Sequence, residues 1–193
     1  MSKTDEKLVE DYLTGDENAL RLLFKKYINH VYNFVFGYVK NRGDAEDITQ
    51  DTLMKAWKSL SKFDKSKKFK TWLFEIAKNT SLNWIKKKKP VLFGEFKSEE
   101  NQESLEESLE DTWSIPEEIF ERKDSSRKVF EAVDRLNVNY RQILILYYKE
   151  HFNFREISEI TGQSVNTVKS GHRRAILSLK KLLLDKNAPK RRS

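Results

Sequence analysis

An all-α fold is predicted by three observations. Apolar residues recur at helical spacing through most of the 193 residues, and only six glycines and three prolines interrupt them. Cap-forming residues stand between the periodic runs. The composition also changes abruptly near the middle. From Ser98 to Asp111 every charged residue is acidic: Glu99, Glu100, Glu103, Glu106, Glu107, Glu110 and Asp111. With only Leu105 and Leu109 as apolar residues, that block cannot bury enough surface to offset the entropy of ordering it. The expectation is therefore two small helical domains, 1–90 and 115–193, joined over 91–114 by a flexible acidic linker. The second domain carries a helix-turn-helix.

Each element follows from local chemistry. A short helix from Glu6 to Leu13 is closed by Gly15. Asp16 caps a longer one, in which Leu20, Leu23, Phe24, Tyr27, Val31, Phe34 and Val35 keep helical spacing to about Lys40. Asn41, Arg42 and Gly43 read as a turn, and Asp44 as the cap of a third helix with Asp47 three positions on. That helix is expected to bury Ile48, Leu53 and Trp57 and to expose Asp47, Gln50 and Asp51. A lysine-rich loop, Ser61 to Lys68, contains Phe63. A fourth helix starts near Thr71 and stops at Pro90, with Lys78, Asn79 and Asn83 close together on it.

After the acidic stretch, Ile115-Pro116 starts a helix that runs to about Leu136, with proline at its first position. Asn137 caps the next one. Asn153 and Glu156 form a capping-box pattern, Gly162 ends that helix, and Ser164 caps the last. The last helix places Val165, Val168, Ala175, Ile176, Leu179 and Leu182/Leu183 on one side. Asn166, Lys169, Ser170, His172, Arg173 and Arg174 lie on the other. This is the layout of a helix-turn-helix whose second helix enters a DNA major groove. An ordinary helical hairpin with a solvated basic face shares part of the pattern.

Composition narrows the function. Charged residues make up 35% of the chain and the net charge is +7, which favours a polyanionic partner. The absence of cysteine excludes a disulfide framework and a thiolate metal site. His30, His151 and His172 are scattered, and no phosphate-binding glycine loop or nucleophile constellation is present. No enzyme activity, cofactor or metal is therefore expected. The polar N-terminus is not a signal peptide, and no apolar run approaches the roughly 20 residues that cross a bilayer. A cytoplasmic protein without membrane insertion is expected. In the first half, lysines interleaved with aromatics and amides suit a nucleic-acid strand: cations hold the backbone, rings stack and Asn bonds a base edge. Lysines at a helix C-terminus also simply suit the helix dipole.

Three segments resemble one family in order. DAEDITQDTLMKAWKSLSKFD is similar to region 2.2 of the extracytoplasmic-function (group IV) sigma factors of bacterial RNA polymerase, within the sigma-70 family. FKTWLFEIAKNTSLNWIKKKK resembles regions 2.3 and 2.4. LNVNYRQILILYYKEHFNFREISEITGQSVNTVKSGHRRAI resembles region 4. The resemblance implies a subunit that binds core polymerase and directs promoter recognition and transcription initiation. Asp47, Gln50, Asp51, Leu53 and Met54 would dock the β′ coiled coil, and the β flap is the second implied contact. Phe63, Lys65, Lys67, Lys68, Lys78, Asn79 and Asn83 would handle the unpaired −10 strand. Ser164, Asn166, Lys169, Ser170, Arg173 and Arg174 would read the −35 duplex. An anti-sigma partner, which could hold the protein at the membrane, is also implied. The linker would thread towards the RNA path, where its acid run fits either a mimic of RNA charge or a solubilising tether.

Two residues depart from the family pattern. Gly171 stands where the family often has arginine, so one phosphate contact is expected to be lost, with His172 and Arg173 able to replace it. Lysine at 169 lacks the bidentate guanidinium fork for guanine. A self-sufficient helix-turn-helix regulator is the competing reading; it requires tight duplex binding by the free protein, usually as a dimer.

Overall fold

The computed structural model describes residues 3–88, 129 and 131–184, and among these there is no strand. Helix α1 is Asp5–Leu13, capped by Thr4, whose hydroxyl accepts the Lys7 N–H. Helix α2, Glu17–Val39, is capped by Asp16 and ends where Lys40 takes a left-handed backbone, φ 53°. Helix α3 is Arg42–Ser59, followed by a 3₁₀ turn over Leu60–Lys62. Helix α4 is Phe69–Lys88. Its first N–H groups need acceptors, and the Glu6 carboxylate from α1 accepts the Phe69 N–H at 3.2 Å.

The register of α3 differs from the sequence expectation. Asn41, not Asp44, is the N-cap: its backbone is extended and its side chain accepts the Asp44 N–H at 3.0 Å. Arg42 and Gly43 are the first turn of the helix. Trp57 is 45% exposed, against its expected burial, because Thr52 and Ala56 take the inner face of α3. Helix α4 begins two residues before Thr71, and Pro90 and the acidic linker 91–114 lie outside the described residues.

Residues 131–135 are helical and precede α5, Val138–Leu144, which Asn137 caps as the sequence indicates. The helix widens into a π turn over Ile145–Lys149, so that the Glu150 N–H donates to the Ile145 carbonyl. Helix α6, Phe154–Thr161, opens with the full Asn153–Glu156 capping box and closes on Gly162, φ 74°. Helix α7 is Val165–Leu184. Ser164 caps it by accepting the Thr167 N–H at 3.1 Å. Of the expected inner residues, Leu182 is half-buried and Leu183 is 41% exposed.

The two halves share one core. Leu23, Val31, Phe34, Leu73, Phe74 and Ile85 from α2 and α4 form a cluster with Leu146, Phe152, Ile157, Ile160 and Val168 from the helix-turn-helix half. Phe34, Phe69 and Phe74 are fully buried; each such side chain contributes about 1.5–3 kcal/mol by leaving water. A second cluster joins Val129, Ala132, Val133 and Leu136 to Leu144, Tyr148, Ala175, Ile176 and Leu179. It holds α7 to the helix before α5.

Candidate nucleic-acid interface

Three surfaces carry the residues singled out in the sequence. The first is on α3. Asp47, Gln50, Asp51 and Met54 are exposed, and Leu53 is half-buried beside them. Their spacing places the polar groups on one stripe. Asp51 has a basic neighbour one turn on, since the Lys55 ammonium lies 2.7 Å from its carboxylate. Met54 and Trp57 add exposed apolar area, 47% and 45%. The Trp57 indole is held by donating its N–H to the Tyr12 hydroxyl at 2.6 Å.

The second surface is formed by α4 and the loop before it. Asn79 and Asn83 are exposed one turn apart, and Lys65 and Lys67 are exposed in the loop. Phe63 differs from expectation. It is only 7% exposed, and its ring packs against Trp72 at 5.1 Å and Phe69 at 5.9 Å between centroids. The ring is therefore packed as a core element. Two cations of this group are engaged elsewhere. The Lys68 ammonium lies 2.7 Å from the Glu156 carboxylate, which holds its pKa above the ordinary lysine value. The half-buried Lys78 ammonium donates to the Thr161 carbonyl at the end of α6. A lysine there satisfies a carbonyl that the helix leaves open.

The third surface is the outer side of α7. Ser164, Asn166, Lys169, Ser170 and Arg173 are exposed, and Arg174 is half-buried. Asn166, Lys169, Ser170 and Arg173 follow the spacing of a single helical face. Thr167, not singled out in the sequence, is exposed on the same first turn, its hydroxyl 2.8 Å from that of Ser164.

The neighbours of this face correct two expectations. His172 does not join it. Its ring sits among Tyr147, Tyr148 and Phe154, with centroid distances of 4.8, 5.6 and 5.3 Å. Its Nε2 is buried without a partner, and burial pushes the imidazole below its ordinary pKa. Gly171 faces α5: a Cβ there would come within 2.7 Å of Ile143 Cδ1. The glycine belongs to helix packing, and His172 does not replace a lost phosphate contact.

The matches to known proteins follow the same division. The sigma-70 region 2 family model matches residues 23–91, which contain α3 and α4. The sigma-70 region 4 model matches residues 126–179, which contain α6 and most of α7. The ECF RNA polymerase sigma-E factor of Haemophilus influenzae is 30% identical over 175 residues, covering 86% of this chain and 88% of that protein. The chain belongs to the extracytoplasmic-function sigma factors. The sigma factor SigW of Bacillus subtilis is 29% identical over 182 residues, 93% of this chain and 97% of its own. The fold is also that of the sigma factor RpoE from Bartonella quintana, solved with the anti-sigma factor NepR. There the TM-score is 0.62 at 24% identity, covering 86% of this chain and 98% of that one.

As a sigma factor, the protein serves RNA polymerase in promoter recognition and transcription initiation. Its three surfaces fall in the matched regions: the α3 stripe and the α4 amides in region 2, the α7 stripe in region 4. Sequence reasoning missed the residues that join the regions. Arg141 is 8% exposed, and its guanidinium donates to the Gly37 carbonyl at 2.6 Å and the Leu136 carbonyl at 2.8 Å. Glu150, 1% exposed, lies between His30 and Lys70. A single sequence marks neither, because a helical arginine and a loop glutamate usually face water. No described helix is long and apolar enough to cross a membrane.

Proposed function

We propose that the sigma factor divides its task among the three surfaces. The α3 stripe of Asp47, Gln50, Asp51, Leu53 and Met54 docks on a basic coiled coil of the polymerase β′ subunit, with Trp57 extending the contact. Asn79 and Asn83, with Lys65, Lys67, Lys68 and Lys78, hold the unpaired −10 strand. Ser164, Asn166, Lys169, Ser170, Arg173 and Arg174 read the −35 duplex, and the β flap binds the same half of the chain. The domains extend over 1–90 and 115–193, with 91–114 as tether. No catalytic step belongs to the chain itself. An anti-sigma factor holds it in reserve in the cytoplasm or at the membrane face, as NepR is paired with the Bartonella protein.

The observation that carries this reading is the α7 stripe. Asn166, Lys169, Ser170 and Arg173 are exposed on one face of a helix whose opposite side is anchored by Val168, Ala175, Ile176 and Leu179. A face of amide, hydroxyl and cationic donors on a rigid helix matches groove readout, in which phosphate contacts position and base contacts specify. The test is transcription by core polymerase on a promoter mutated one element at a time. Arg173→Ala is expected to lose about 1–3 kcal/mol of upstream discrimination, and Asn79→Ala to relax only the downstream element. Equal losses at both elements for both variants would contradict the division.

A further inference from the structure

The last eight residues of α7 carry a face that neither helix packing nor the duplex-reading stripe uses. Among the described residues eight large apolar side chains are exposed, and three of them stand here: Leu177 at 46%, Leu183 at 41% and Leu184 at 68%. A single exposed leucine is ordinary, but a cluster marks a contact surface. Leu177 and Leu184 are seven residues apart, so they lie in line, two turns from each other. Lys180 and Lys181 are exposed between them and, by the same periodicity, flank that line on its two sides. Ala175, Ile176 and Leu179 are buried on the opposite side, which fixes the direction in which the leucines face.

Duplex DNA does not account for these leucines. On the proposed reading of α7, the groove-facing residues run from Asn166 to Arg173, about 10 Å of helix at 1.5 Å per residue. The major groove is about 12 Å wide, so that stretch fills it. Leu184 stands about 16 Å beyond Arg173 along the axis, and a leucine offers a phosphate no hydrogen bond. A second copy of the chain fits no better, because Lys180 and Lys181 of the two copies would meet like charge. The occupant must be apolar at the centre and negative at the edges.

We propose that the end of α7 is a contact for an anionic lipid surface. The leucines enter the boundary between headgroups and acyl chains. The flanking lysines lay their stems over it and place their ammonium groups at the phosphates. The sequence extends the charge: between residues 180 and 193 six cations, Lys180, Lys181, Lys186, Lys190, Arg191 and Arg192, stand against one acid, Asp185. Cations without a fixed spacing suit the smeared negative potential of a membrane, whereas an acidic protein groove asks for matched single partners. About two helical turns with three leucines give shallow, reversible adsorption and not insertion. The contact brings the chain to the membrane face by itself, without an anti-sigma factor between them. Only the exclusion of DNA rests on the proposed reading of α7.

The test is sedimentation of the full chain, with no other protein, on two kinds of vesicle: equal parts phosphatidylglycerol and phosphatidylethanolamine, or phosphatidylcholine alone. The parent chain is expected to pellet with the anionic vesicles only and to leave them as salt rises. Leu177→Asn with Leu184→Asn is expected to weaken that binding about tenfold or more. Lys181→Gln with Lys186→Gln should weaken it and flatten the salt dependence. Both leucines are exposed, so circular dichroism and binding to random-sequence duplex DNA should match the parent. Vesicle binding unchanged by the leucine pair would overturn the proposal, since charge alone would then account for it. So would equal binding to phosphatidylcholine. A parent chain that stays in the supernatant would also overturn it and leave an acidic protein as the partner of this face. If the folded leucine variant loses duplex binding together with vesicle binding, the leucines belong to the duplex reader and the lipid contact fails.

Discussion

Gly171 of the recognition helix lies against Ile143 of α5, where a Cβ would come within 2.7 Å of the Ile143 Cδ1. Ile143 is only 4% exposed, so its methyl has little room to move. The residue that sequence reading treats as a missing phosphate contact thus lets two helices approach. Gly171→Ala gains up to about 1 kcal/mol of helix propensity and loses it to this clash. In an Ile143→Val background the clash is relieved, and Gly171→Ala should then raise stability by about 0.5–1 kcal/mol. Denaturant titrations of the four proteins measure the coupling. Additive effects would show that the two residues do not meet.

The α3 stripe should govern polymerase affinity. Lys55 already pairs with Asp51, so Asp51→Lys creates repulsion within the helix as well as at the docking surface. Asp47 forms no ion pair among the described residues, so Asp47→Lys tests the surface more simply. Binding to core polymerase should weaken about tenfold or more for the double variant, with circular dichroism unchanged. Trp57→Ala should weaken the same step without affecting duplex binding. Core affinity equal to that of the parent chain would remove α3 from the interface.

His172 should make the helix-turn-helix acid-sensitive. Burial among Tyr147, Tyr148 and Phe154 lowers its pKa from the ordinary 6.5. In that case the unfolded chain binds the proton more readily than the folded one. Its contribution is complete above pH 6.5 and is lost as pH falls towards the lowered folded value. The melting temperature should therefore drop from pH 6.5 downward, and His172→Phe should flatten that slope. A slope unchanged by His172→Phe would locate the sensitivity in another group.

The elements most legible in the sequence are those set by neighbours a few residues apart. The capping box of Asn153 and Glu156, the left-handed Gly162 and the outward stripe of α7 all depend on local spacing. The start of α3 is ambiguous in the sequence because Asn41 and Asp44 are both good caps, and Gly43 resembles a turn residue although it sits in the first helical turn. Burial of Phe63 and the inward turn of His172 depend on partners far along the chain or on the opposite helix, so local periodicity cannot assign them. The seam between the halves was the least legible feature. Gly37, Arg141 and Glu150 carry no pattern of their own, and their contacts across the seam exist only when the two halves meet.

Phe63 gives a clear contrast between core and site. Removing a ring that packs on Phe69 and Trp72 should lower stability by about 3–5 kcal/mol. Phe63→Leu should retain most of the stability and also most of the promoter melting, since the ring packs in the core. Loss of melting in a Phe63→Leu protein of normal stability would restore the ring to the strand-reading site.

The most direct measurement is transcription from a genomic fragment library with purified core polymerase, this chain, or both. Only the combination should start transcripts at a consistent set of sites, and those sites should share two sequence elements at a fixed spacing. Changing that spacing by a few base pairs should abolish initiation while the Arg173 and Asn79 contacts remain available. Tight, promoter-selective binding by the chain alone as a dimer, with no new start sites when core polymerase is added, would contradict the assignment of its surfaces.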